Sequence, residues 1–253
     1  MQPTEHTSSL VIAYGRPWEI MRTQGLTTDG RVIDIYTKSG NLPPYNGILA
    51  LIPELGVTFA LLFGGPELNP AEVTVGAEQV AQMLIPALDE AGKEEARVSL
   101  VGTYTDEESN SMITLDVNDG PGLLVTDMVM RGVDILANFG LFTGAEGDLN
   151  VTLRLYPSGL EADGQLGFWG VFDARAIDVT EDVDDALSSI PYEPCDMYLA
   201  FEGPTYGMNS IGDFVISVEE DGLAEWVEAR FWRVKMGVSE RDVSEIQARA
   251  ELR

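Results

Sequence analysis

One cysteine, one histidine and three lysines are all that 253 residues contain of those types. The lone thiol, Cys195, excludes an intrachain disulfide and any cysteine-built structural zinc site. It reads as a small buried hydrophobe. The lone imidazole, His6, lies in a polar N-terminal stretch, with nothing nearby to make it the base of a Ser-His-Asp triad. Basic residues are scarce, 15 against 42 acidic ones, for a formal net charge of −27. Nucleic acid is therefore excluded as a partner, because neutralising phosphates needs a basic surface. An anionic membrane surface is excluded for the same reason.

No apolar run reaches the ~18 residues a membrane-spanning helix needs. Pro53, Glu54 and Gly56 break the longest candidates. The N-terminal "MQPTEHTSSLVIAYG" has neither the basic n-region nor the cleavage pattern of a signal peptide. The chain as it stands is expected in the cytoplasm, and outside the cell if it is a fragment of a longer precursor. Gly-rich phosphate loops, a G-x-S-x-G elbow and an H-E-x-x-H helix are missing. The acidic clusters "EDVDD" (Glu181 to Asp185) and "DEES" lack the spacing and glycine of a calcium loop. Neither a metal nor a cofactor is expected.

What is present suits a packed, turn-rich fold: 45% hydrophobic residues, 26 glycines and 13 prolines. Residues 1–97 carry 12 acidic and 6 basic side chains, net −6. In this region "SLVIAYG" reads as a short strand. "RVIDIYTKSG" alternates Val32, Asp34 and Tyr36 against Ile33, Ile35 and Thr37. "GILALIPE" and "VTFALLFGG" are near-continuous apolar runs, which predicts strands covered on both faces. A long helix follows, capped by Asn69 with Pro70 in its first position. Val73, Ala77, Val80, Ala81, Leu84 and Leu88 form its apolar stripe. Pro86 is expected to kink or interrupt its last third, and "DEAGKEEAR" reads as its polar end and a linker.

Residues 98–237 read as nearly all β. "DLNVTLRLYP" sends Leu149, Val151, Leu153 and Leu155 one way and Asn150, Thr152 and Arg154 the other. "SMITLDV" alternates similarly. "DFVISV", the turn "EEDG" and "LAEWVEARFWRV" read as a hairpin. Many short strands with closely spaced turns predict a barrel or sandwich. Residues 238–253 read as a polar tail or short terminal helix. The fold class is α+β: an antiparallel sheet with one long helix, followed by an antiparallel β-barrel or sandwich-like domain.

One stretch carries chemistry. "YTKSG" places Lys38, Ser39 and Gly40 at the end of an apolar strand. An ammonium there can stabilise an oxyanion or hold a carboxylate. The adjacent hydroxyl can donate to the same group, and the glycine lets a substrate lie against the strand backbone. This is the logic of the K-T-G strand in penicillin-recognising serine enzymes. The plainer reading is an edge strand with a solubilising lysine. Ser39 is not read as a nucleophile, since Lys38 next to it points to the opposite face.

The context favours the first reading. "KSGNLPPYNGILALIP" resembles, without a gap from Lys38 to Pro53, the third motif of class C β-lactamase-like and penicillin-binding-protein-like serine hydrolases. "YGRPWEIMRT", "GTYTDEESNSMITLDVNDGPGLLV", "LRLYPSGL" and "YGMNSIGDFVISVEEDGLAEWVEARFWRVK" resemble fungal β-lactamase-related proteins. The likeness spans about residues 5 to 236. It implies that residues 1–97 are the C-terminal half of a hydrolase domain and residues 98–237 its β-rich C-terminal domain. It also implies acyl transfer from a small amide or ester through an acyl-serine, with Lys38, Ser39 and Gly40 as the third motif.

The departures are as informative. The family's S-x-x-K nucleophile is not found: Ile35, Glu90 and Trp232 stand three residues before the three lysines. No tyrosine begins a Y-x-N, and "YPS" at Tyr156 to Ser158 falls in the β region. Pro43 and Pro44 occupy a turn where glycines are usual. The expectation is a truncated or degenerate hydrolase without acyl-enzyme activity of its own. The alternatives are a fragment of an active hydrolase or acyltransferase, and a non-catalytic binding module. A protein partner supplying the missing half-domain would restore the site.

Overall fold

The computed structural model describes residues 3–9, 11–65, 69–143, 149–176 and 204–241. Cys195, the "EDVDD" cluster and all of the C-terminal stretch beyond Arg241 lie outside the described residues, as does the side chain of His6. The chain divides into two compact units, residues 1–94 and 95–253.

The first unit is a six-stranded antiparallel meander in sequence order: β1 (Glu5–His6), β2 (Ile12–Tyr14), β3 (Glu19–Gln24), β4 (Val32–Leu42), β5 (Tyr45–Ile52) and β6 (Val57–Gly64). Each strand pairs with the next because each connection is a short turn. Helix α1 (Pro70–Ser99) follows. Asn69 caps it as expected, its side-chain oxygen accepting from the Ala71 N–H at 3.0 Å.

The buried positions of α1 in this unit are Val73, Ala77, Ala81, Ile85 and Asp89, four residues apart. Such spacing makes a narrow stripe down one face. Ala81 and Ile85 pack with Ile33, Ile35, Ala50 and Ile52. Val73 and Ala77 pack with Ile48. Burying each large aliphatic side chain is worth roughly 1.5–3 kcal/mol, so this seam holds helix to sheet. Two expectations hold only in part here. Pro86 does not interrupt the helix, which runs unbroken to Ser99. Its ring is exposed, while Ile85 and Asp89 on either side are buried and hold the backbone in place. "DEAGKEEAR" is accordingly the polar end of the helix, as read, and not a linker as well.

A third correction concerns β5 and β6. Both alternate in burial rather than being covered on both faces. The face toward α1 is packed. The opposite face carries Leu42, Tyr45, Leu49 and Leu62, which are 76%, 65%, 41% and 85% exposed.

The second unit is a closed barrel. Its strands are β7 (Gly102–Asp106), β8 (Ser111–Asp116), β9 (Leu123–Met130), a two-residue β10 (Val133–Asp134), β11 (Leu149–Ala162) and β12 (Gln165–Ala176). A separate pair, β13 (Thr205–Tyr206) and β14 (Asn209–Ser210), precedes β15 (Asp213–Val218), β16 (Ala224–Ala229) and β17 (Val234–Glu240). The barrel order is β8-β9-β11-β12-β15-β16-β17-β7, and β7 pairs with β8 to close the ring. Closure selects the barrel over the sandwich and removes free edges. The interior is filled by side chains, among them Tyr104, Ile113, Leu115, Leu153, Leu155, Phe214, Val227 and Met236, all at 1% exposure or less. Eight strands leave an interior of about that size.

The alternation of β8 and β11 is as read: Ile113 and Leu115 point in, as do Leu153 and Leu155. "LAEWVEARFWRV", however, is not one strand. It stops at Ala229, turns through Arg230 to Arg233 and restarts as β17. Arg233 adopts a φ of 53° there, a left-handed conformation that ends a strand. The β region also runs on to Glu240, so the first residues of the expected tail are barrel.

Candidate functional site

The Lys38-Ser39-Gly40 triplet lies in the second half of β4. Register puts Lys38 opposite Leu49, Ser39 opposite Ile48 and Gly40 opposite Gly47 on β5. On the other side, pairing with β3 stops at Glu19, which faces Thr37. Beyond that point β4 pairs with β5 alone, so Lys38, Ser39 and Gly40 stand at an open margin of the sheet.

Strand alternation sends Lys38 and Ser39 to opposite faces, yet both converge on one group. The Lys38 Nζ donates to Glu19 Oε1 at 2.6 Å. The Ser39 hydroxyl donates to Glu19 Oε2 at 3.3 Å. Because Glu19 opens its strand at this margin, its carboxylate can reach round to both. The backbone of Glu19 is itself held: the Thr37 hydroxyl donates to its carbonyl oxygen at 2.9 Å. Thr37 is only 2% exposed, so this bond is shielded and fixes the start of β3. The ion pair is half-exposed, and pairs of that kind contribute about 0–1 kcal/mol. It orients groups more than it stabilises the fold.

Gly40 offers bare backbone. A Cβ built there meets no heavy atom within 4 Å, so open space borders the strand where a ligand would lie. The triplet forms one wall of an open groove of about 770 Å³, whose other walls include Leu42, Tyr45, Leu49, Leu62 and Phe63. Of the described residues that line it, Lys38 alone is charged. A smaller concavity of about 420 Å³ is lined by Arg22, Val32, Asp34, Tyr36, Pro53 and Glu54. Its Arg22 and Asp34 pair with each other at 2.8 Å, which leaves it little to offer an ionic ligand.

The sequence reading missed Glu19 and Thr37. A signal existed in "PWEI". A hairpin pairing Gln24 with Val32 brings Glu19 opposite Thr37, one residue before the lysine. "YPS" is structural: the Ser158 hydroxyl donates to the Gly167 carbonyl oxygen at 2.9 Å across β11 and β12.

The densest charge cluster lies elsewhere in the first unit and is a brace. The Arg31 guanidinium bonds Asp29 and Asp89, each at 2.9 Å, and Glu54 at 2.5 Å. Burial alone would lower the Arg31 pKa; its bonds to Glu54, Asp89 and Asp29 hold it above the ordinary value. Burial pushes the Asp29 carboxyl up, but hydrogen bonds from Thr27 and Arg31 outweigh it and hold the group below the usual range.

Comparison with known proteins points in one direction. Residues 92–240 match the family described as "Beta-lactamase-like-like, C-terminal domain". A "Beta-lactamase-like protein" of Arthroderma benhamiae is 31% identical over 175 residues, covering 64% of this chain and 29% of the relative. A "Probable hydrolase" of a Phoma species is 31% identical over 126 residues, covering 48% of this chain and 21% of the relative. The chain thus matches less than a third of the length of these relatives. Among solved structures, the octameric penicillin-binding protein homologue from Pyrococcus abyssi is similar at 12% identity, covering 93% of this chain and 40% of that one, with a TM-score of 0.29. A likeness at that score carries no argument.

Proposed function

The chain belongs to the fungal β-lactamase-like family, and from that premise we propose that it supplies the substrate-polarising part of a serine-hydrolase site and forms no acyl-enzyme by itself. In this reading Lys38 provides the ammonium and Ser39 the hydroxyl that meet a carbonyl oxygen as it gains charge. Gly40 lets the substrate lie along β4.

The observation that carries the reading is the convergence of Lys38 and Ser39 on one pair of carboxylate oxygens, at an open sheet margin beside a groove. Two donors that alternate along a strand do not meet by default. The Glu19 carboxylate stands in for the oxyanion they would serve. The nucleophile is a different matter. None of the three lysines has a serine three residues before it, and no Y-x-N is present. Ser39 donates to a carboxylate that is already engaged by Lys38, which orients the hydroxyl and does not prepare it for attack.

The test is covalent labelling. Purified protein incubated with a fluorophosphonate or a labelled penicillin is expected to keep its unmodified mass. A serine adduct in the intact-mass spectrum would overturn the reading and make the chain an active hydrolase or acyltransferase.

A second reading is a binding module that docks the polypeptide carrying the S-x-x-K half-domain. The apolar face of β4 to β6, with Leu42, Tyr45 and Leu62 exposed, favours it. Mixing the chain with a polypeptide bearing S-x-x-K and Y-x-N from a full-length relative should then give a stable complex with esterase activity. Two species that elute separately and stay inactive would rule it out.

A further inference from the structure

We propose that the groove beside Lys38 takes an uncharged, apolar acyl group, and that Glu19 is the residue that excludes carboxylates from it. The proposal rests on the reading of Lys38 and Ser39 as the substrate-polarising pair and names the class of substrate they serve.

Donor capacity is the first argument. A serine hydroxyl has one proton to donate, and Ser39 gives it to Glu19 Oε2 at 3.3 Å. A lysine ammonium has three, and Lys38 gives one to Glu19 Oε1 at 2.6 Å. Two N–H donors therefore remain for a ligand. A carbonyl oxygen can accept one of them without displacing Glu19, and it takes the Ser39 proton from Glu19 only as it gains charge. A carboxylate would instead bring a second negative charge against the Glu19 oxygens.

Charge balance is the second argument. Lys38 and Glu19 together are neutral, and no other charged residue among those described lines the groove. An anion entering it finds one cation, already matched. The same groove is lined by Leu42, Tyr45, Leu49 and Leu62, all more than 40% exposed. Apolar side chains left in water are stabilised by an apolar occupant. Gly40, with open space where a Cβ would stand, lets the acyl chain run close to the strand.

The experiment uses an isosteric pair, hexanamide and hexanoate at pH 7, titrated into the full chain with 13C at lysine Cε. Three lysines give three signals, and Lys38→Met identifies the relevant one by its loss. Hexanamide is expected to move the Lys38 signal at concentrations where hexanoate does not. In Glu19→Gln the order should reverse, with hexanoate binding gaining roughly threefold or more, the scale of a half-exposed ion pair. Hexanoate binding to the wild type at Lys38 as tightly as hexanamide would overturn the selection by Glu19. So would an unchanged order in folded Glu19→Gln. The wild-type comparison alone decides the point if that variant fails to fold. If neither compound moves the Lys38 signal in either protein, the acyl-site reading falls, and this inference with it.

Discussion

Thr37 and Glu19 face each other across β4 and β3, and the buried Thr37 hydroxyl donates to the Glu19 carbonyl oxygen at 2.9 Å. This bond fixes the residue that in turn gathers Lys38 and Ser39. Thr37→Val keeps the shape and deletes the donor. It should cost about 1 kcal/mol of stability, the net value of one such bond, read as a lower urea midpoint. It should also move the Lys38 Cε signal toward that of an unpaired lysine, which a purely structural role would not do.

Two glycines should respond very unequally to the same change. Gly40 has room for a Cβ, whereas a Cβ at Gly212 would stand 2.5 Å from the Gly170 carbonyl oxygen. That oxygen is backbone and cannot swing aside. Gly40→Ala should stay within about 0.5 kcal/mol of wild type. Gly212→Ala should lose roughly 1–3 kcal/mol, the usual cost of overpacking. Urea melts of the two variants check both values.

Removing the Arg31 brace should be costly. The Asp29 and Asp89 side chains are 3% and 5% exposed and share its guanidinium. Arg31→Ala leaves both carboxylates buried without that cation, for an expected loss of about 3–5 kcal/mol. The folded Asp29 carboxyl sits below its ordinary value. Its contribution is therefore present above the unfolded carboxyl pKa and is lost as pH falls through the folded one. An acid titration of stability should show that limb in the wild type, and a weaker one in Arg31→Ala.

Tyr104 predicts an alkaline limb. It is fully buried in the barrel, and its hydroxyl donates to the Leu100 carbonyl oxygen at 2.7 Å. Burial raises its pKa, against the opposing pull of Arg241. A raised value means its contribution is complete below the unfolded tyrosine pKa and fades as pH climbs through the folded one. Tyr104→Phe should lose about 1 kcal/mol at pH 8. The difference from wild type should shrink above pH ~10. Urea melts at the two pH values decide it.

Much of this architecture is legible in the chain because it rests on local periodicity. The alternation Ile33, Ile35, Thr37 placed β4, and Leu153 with Leu155 placed β11. Asn69-Pro70 placed the start of α1. Errors came where a distant contact overrode a local signal. Pro86 stays helical because Ile85 and Asp89 are anchored to other elements. β5 and β6 look buried on both faces because apolar residues also line the face that the groove occupies. The turn at Arg230–Arg233 was hidden in a run of strand formers.

Residue order and spacing alone set the α+β class, the two β-rich halves, the family likeness and the identity of the Lys38-Ser39-Gly40 triplet. Tertiary packing was needed to close the barrel by pairing β17 with β7, far apart in sequence, and to place Ile85 in the helix seam. It was needed again to bring Glu19 onto both donors of the triplet. One cause underlies all three. Each is a contact between different elements, set by packing and by turn geometry, and the residues next to Lys38 do not by themselves encode which carboxylate will reach it.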